Sequence, residues 1–183
     1  MELTFFRHGI AVDRVDPLCP VDFERPLTID GKNKVEGAVR GLKAVGVKPD
    51  VIISSPFVRC VQTAALAARG LDMPRRGIVE SDALAAGADP EALWRELAAA
   101  PREKVLVVGH GDTLEPIAGV ALGLPFDDGP DGARTSSLAL RLLHLKKAGA
   151  LHLELPALPL EAGVVARLVW LLSPRILRQL GRS

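Results

Sequence analysis

The chain has 183 residues, 48% of them hydrophobic and 25% charged, with a formal net charge of +1 at pH 7. That length suits one domain over 1–183 with its own core, and the near-neutral balance excludes an electrostatic case for nucleic acid or an anionic membrane surface. No apolar run is long enough to span a bilayer and no basic-apolar leader opens the chain. Its two cysteines, Cys19 and Cys60, read as reduced thiols, so the expected location is cytoplasmic.

Residues 3–6 read as a buried strand, closed by Arg7, His8 and Gly9. An arginine and a histidine at the carboxyl end of an apolar strand stand where open α/β sheets bind ligands. Residues 25–50 hold a helix capped by Thr28, with Val35, Ala38, Leu42 and Val45 on one face. A second strand, 51–55, leads into a helix with Ser55 as N-cap, Pro56 at its first position, Arg59 in its first turn and Gly70 past its end. A short strand at 78–80 precedes a helix opened by Asp89 and Pro90. The strand 104–110 ends in His110, and another helix follows, with Asp112 and Thr113 as its expected caps.

The Gly-, Pro- and Asp-rich loop 126–135 reads as exposed and mobile. Beyond it, 137–145 and 150–155 flank "KKAG" as a hairpin in which His144 faces His152. Residues 161–172 read as a closing helix whose Leu168, Trp170, Leu171 and Leu172 pack inward, and "RILRQL" as a last short helix. The fold class is therefore α/β: a single-domain three-layer α/β/α sandwich, its sheet mostly parallel, with a C-terminal hairpin adding an antiparallel strand.

Parallel strands share one carboxyl edge, so Arg7, His8, Arg59 and His110 are predicted to converge. Guanidinium forks match phosphate oxygens, and a neutral imidazole is a competent nucleophile. Phosphoryl transfer needs mainly positioning and charge neutralisation. The stretch "GHGDTLEP" lacks the Lys-Ser/Thr phosphate loop of nucleotide-binding proteins. A metallohydrolase would need carboxylate ligands beside the histidines that these motifs do not supply.

"RHG" after the first strand, "SSPFVRCVQTA" and a late "VGH" resemble the histidine phosphatase, or phosphoglycerate mutase-like, superfamily. "RHGIAVDR…DFERPLTIDG" and "VVARLVWLLSPRILRQL" are similar to its small phosphohistidine phosphatase branch, the SixA type. The resemblance implies His8 as nucleophile and transient phosphoryl carrier, Arg7 and Arg59 as phosphate ligands, and His110 as a donor to a phosphate oxygen. Arg25 would line the pocket, its alternative role being an ion pair with Asp22 or Glu24. Gly9 would let the chain turn beneath the phosphate. No metal or other cofactor is implied.

Many members carry a glutamate general acid after the second helix; this chain has Ala85 and Ala86 there, with Glu80 and Asp82 nearby and Asp89 better read as a cap. An alkoxide needs a proton to depart, whereas imidazole, with a conjugate-acid pKa of about 6.5, leaves readily. The missing acid and the short chain favour an open site for phosphohistidine in a protein, possible partners including a histidine-containing phosphotransfer domain. The alternatives are a broad phosphomonoesterase using Glu80 or Asp82 as acid, and a non-catalytic phosphate-binding module.

Overall fold

The strand-forming runs Glu2–Arg7 (β1), Val51–Ser54 (β2), Ile78–Glu80 (β3) and Lys104–Gly109 (β4) alternate with the helices Ile29–Ala44 (α1), Val58–Gly70 (α2) and Ala92–Ala99 (α3). Gly111–Ala121 (α4) follows β4. Then come a two-stranded ribbon, Asp127–Asp128 (β5) with Arg134–Thr135 (β6), the helix Ser137–Leu142 (α5), the strands Ala150–Glu154 (β7) and Arg167–Leu172 (β8), and the helix Pro174–Leu180 (α6). This computed structural model describes residues 1–16, 19, 21–125, 127–128, 134–156 and 165–182. Most of the loop 126–135 read as mobile, and the first part of the helix read at 161–172, lie outside the described residues.

One sheet carries the order β3-β2-β4-β1-β7-β8, with β3, β2, β4 and β1 parallel and β7 and β8 antiparallel. Alternation along β1 divides the core in two. Leu3 and Phe5 pack with residues of α3, α4 and α5, while Phe6 packs with α1, α2 and α6. All three are fully buried, each worth roughly 1.5–3 kcal/mol of transfer free energy. The result is the expected three-layer sandwich. Because β1 connects through α1 on one face and β4 continues into α4 on the other, the crevice between them is a switch point, where such sheets bind ligands.

Thr28 caps α1 as expected, its side-chain oxygen accepting from the Gly31 N–H at 2.9 Å. The helix after β2 starts later than the sequence suggests: Phe57, not Ser55, is the N-cap of α2, and Pro56 precedes it. Gly70 is the last residue of α2 rather than one past it. Neither Asp112 nor Thr113 caps α4, whose N-cap position is His110.

Two late elements differ from the expectation. Residues 137–142 form a helix, not a strand, because Ser136 caps it by accepting from the Ala139 N–H and buries Ala139 and Leu143 at a helical spacing. Residues 167–172 form a strand, not a helix: "RLVWLL" pairs with β7, and that pairing decides a run whose periodicity alone does not. The antiparallel part is thus β7–β8. His152 faces Trp170 and stacks on it, with ring centroids 5.0 Å apart, while His144 is exposed and lies outside the strand pairing. Leu168 and Leu171 are 43% and 37% exposed, not core. Among the described residues no helix is long and apolar enough to cross a membrane.

The C-terminal helix α6 is pressed onto α1 where Gly41 leaves room. A Cβ there would lie 2.0 Å from the Leu177 carbonyl oxygen, a backbone atom that cannot swing aside. Gly41→Ala is expected to destabilise the fold by roughly 3 kcal/mol, read from urea unfolding; an unchanged midpoint would contradict this packing.

Candidate active site

Register places the site. Arg7 pairs with Gly109, and Ser54 with Val108, so β1, β4 and β2 end at one level. His8 and His110 are each the next residue beyond that paired edge, and their rings meet edge-to-face with centroids 5.2 Å apart. Arg59, in the first turn of α2, reaches the same point: its Nη2 lies 3.3 Å from His110 Nδ1. A cavity of about 500 Å³ opens here, lined by Arg7, His8, Ile10, Ala11, Asp13, Arg14, Arg25, Arg59, His110, Asp112 and Lys147.

Of the residues singled out in the sequence, Arg7, His8, Arg25, Arg59 and His110 all line this cavity. Gly9 does not. It needs smallness rather than an unusual backbone, since a Cβ would meet Val35 at 2.5 Å, and its carbonyl serves His8. Glu80 and Asp82 are absent from the lining, and the carboxylates there are Asp13 and Asp112. Arg14 and Lys147 were not singled out either. Arg14 ends the quoted "RHGIAVDR", whereas Lys147 follows α5 in a segment whose course depends on tertiary contacts.

The two imidazoles are held differently. His8 Nδ1 lies 2.7 Å from the Gly9 carbonyl oxygen, which can only accept; Nδ1 therefore carries the proton and Nε2 keeps its lone pair. Burial pushes the His8 pKa down to about 3, opposed by the bond to Gly9 and aided by the charge of Arg59 and Arg7 and by His110. Burial, then Arg59, pushes His110 down to about 4, against the attraction of Asp112 and Asp22. Both rings are neutral at physiological pH. His110 Nε2 faces the Ser55 hydroxyl at 3.1 Å, and Phe57 packs edge-on against the ring at 4.9 Å. Ser55 thus serves His110 instead of capping a helix. Cys60 Sγ lies 3.7 Å from Nε2, buried, with its thiol pushed up to about 12 by desolvation, so it acts as filler rather than as a reactive group.

The arginines are fixed by protein acceptors. Asp22 gathers three of them: its Oδ1 accepts from Arg14 Nε at 2.9 Å and Arg25 Nη1 at 2.8 Å, its Oδ2 from Arg59 Nη2 at 3.1 Å, and its carbonyl from Arg59 Nη1 at 2.6 Å. The ion pair of Arg25 with Asp22 and the placement of Arg25 on the cavity are therefore both present. Partial burial works against the Asp22 charge, but the arginines win and hold its pKa at about 2. Arg7 donates from Nη1 to the Leu145 carbonyl at 2.6 Å, while its buried Nε finds no acceptor among the described residues. Among those residues no group of three His, Cys, Asp or Glu could hold a metal ion. The chemistry assembled is that of an anion site.

The family model of the histidine phosphatase superfamily (branch 1) matches residues 3–85. An uncharacterised protein of Picosynechococcus sp. is 32% identical over 180 residues, covering 96% of this chain and 98% of its own length. The chain belongs to the histidine phosphatase superfamily. Within it, the likeness is to the SixA type. A Nakamurella structure assigned as a phosphohistidine phosphatase SixA is 26% identical with a TM-score of 0.67, covering 94% of this chain and 95% of that one. The protein histidine phosphatase SixA complexed with tungstate is 21% identical with a TM-score of 0.71, covering 96% and 98%.

The depressed imidazoles fix a pH dependence. In the unfolded chain each takes up a proton near 6.5; in the folded protein it does so only at about 3 and 4. Their contribution to stability is therefore complete above pH 6.5 and is lost as pH falls from there toward 4 and 3. Asp22 loses its contribution later, between 3.8 and about 2. In an NMR titration the His8 and His110 ring signals are expected to stay those of neutral imidazole down to about pH 5; titration near 6.5 would contradict this burial.

Proposed function

We propose that this protein is a metal-independent phosphatase that removes the phosphoryl group from phosphohistidine in proteins through a covalent phospho-His8 intermediate. The observation that carries this reading is the His8 tautomer: Nδ1 is tied to Gly9, and a neutral Nε2 is left free among guanidinium groups. Nε2 attacks phosphorus, the bond from phosphorus to the departing nitrogen breaks, and the substrate imidazole leaves with the proton already on its other nitrogen. Water then attacks phospho-His8, releasing inorganic phosphate and restoring the neutral ring. Arg7 and Arg59 neutralise the equatorial oxygens, and Arg25 lines the approach.

His110 acts in this reading by rearranging. Its Nδ1 faces Arg59 and its Nε2 faces Ser55. When Arg59 turns its N–H groups to phosphate, Nδ1 is released. The neutral ring then changes tautomer, losing its Nε2 proton and taking one on Nδ1 by exchange with water, so that the Ser55 hydroxyl donates to Nε2 and the Nδ1 proton points to a phosphate oxygen. The bound tungstate of the similar SixA structure supports a tetrahedral oxyanion as ligand of this fold.

Substrate choice rests on the leaving group. The segment that carries an acid in larger relatives contributes no carboxylate to the cavity lining here, which supports a leaving group that needs no proton. A cavity of about 500 Å³ suits a side chain presented by a protein, and the expected setting is the cytoplasm, with a histidine-containing phosphotransfer domain as one partner. The second reading is a phosphomonoesterase, favoured by Asp112 on the cavity wall, two residues after His110 in the first turn of α4.

Side-by-side assays separate the two. Phosphohistidine is expected to be hydrolysed with a kcat/KM about 10²-fold or more above that of alkyl phosphomonoesters, the contribution a general acid makes for the latter. Equal or reversed preference would overturn the substrate assignment. His8→Ala is expected to abolish turnover and acid-labile phosphoenzyme while retaining native circular dichroism. Turnover surviving in that variant would refute the nucleophile.

A further inference from the structure

We infer that Glu115 is a positioning residue: from inside α4 it holds the backbone N–H of Leu145, the residue whose carbonyl in turn holds Arg7. The inference rests on the reading above that Arg7 grips the phosphoryl group. Glu115 is 4% exposed, and its Oε1 accepts from the Leu145 N–H at 2.8 Å. The carbonyl of the same residue accepts from Arg7 Nη1 at 2.6 Å. One residue therefore takes the carboxylate on its donor side and the guanidinium on its acceptor side.

The surrounding strap makes this bond consequential. Leu145 is buried in the core, and the chain from 145 to 149 returns over β1: Arg7 N–H donates to Gly149, and the Ala148 N–H to the Arg7 carbonyl. Across from Leu145, the Arg7 guanidinium lies against Gly111, where a Cβ would come within 2.8 Å of Nη1. Arg7 is thus set between a helix start and the Leu145 carbonyl of the strap, and Glu115 anchors the same residue by its N–H. A buried carboxylate is a costly way to anchor a loop, because desolvation opposes its charge and raises its pKa; the nearby Arg7 and His144 act in the other direction and Asp112 with desolvation. A buried acceptor lost from this point leaves the Leu145 N–H unpaired and removes one of the anchors that set the backbone direction at Leu145, and with it the carbonyl offered to Arg7.

The test measures inorganic phosphate affinity by calorimetry in the whole chain, with circular dichroism and urea midpoints as fold controls. Glu115→Gln keeps an oxygen for the Leu145 N–H and is expected to stay within about threefold of wild type. Glu115→Asp keeps the charge but withdraws the acceptor by one methylene; it and Glu115→Ala are expected to weaken binding about tenfold. In an Arg7→Ala background, Glu115→Ala is expected to add less than about twofold, because the two act through one contact. Full multiplicative losses in that double variant, or Gln losing as much as Ala, would overturn the inference. Unchanged phosphate affinity in Arg7→Ala alone would instead refute the reading of the site on which it rests.

Discussion

Parallel pairing of β1 with β4 is the constraint on which the rest depends. Arg7 opposite Gly109 sets the level of both strand ends, and every group of the anion site is measured from it. A slip of one residue would turn Phe5 and Phe6 onto the wrong layers and carry His8 away from His110. The core therefore enforces the site: Leu3 and Phe5 on one face and Phe6 on the other permit one register. What looks like a local cluster of polar groups is fixed by apolar packing several residues upstream.

The electrostatics follow from that placement. Burying two imidazoles among arginines keeps both rings uncharged, and a cationic surround repels a proton or a metal ion while attracting an anion. Gathering so many guanidinium groups would be self-repelling without a counter-charge. Asp22 supplies it, from a short turn that touches Arg14, Arg25 and Arg59 at once. Because the cavity is lined by the arginines and not by Asp22, the carboxylate braces them without occupying the ligand's place.

The parallel half of the fold was legible because local and tertiary preferences agree there. Leu3, Phe5 and Phe6 form an apolar strand, Thr28 is a cap, and Val108 and Gly109 lead directly into His110. The core of the site was legible for the same reason, since a strand end fixes the residue after it. The antiparallel half was less so. In 137–145 a serine cap outweighs an alternating pattern, and in 167–172 a partner strand decides between two periodicities. Ser55 has the chemistry of a helix cap, but its hydroxyl is claimed by a histidine 55 residues away. Lys147, Glu115 and the Asp22 clamp depend on contacts between distant segments, which no local pattern encodes.

The clamp has a kinetic consequence. Arg14, Arg25 and Arg59 belong to different segments, yet all end on one aspartate of the turn Asp22–Glu24. That turn cannot lift without breaking three ion pairs together, although Arg25 keeps its bond to the Val12 carbonyl and Arg59 its contact with His110. Displacement of the turn is therefore a concerted event, and loss of Asp22 would be felt by three arms of the cavity wall at once.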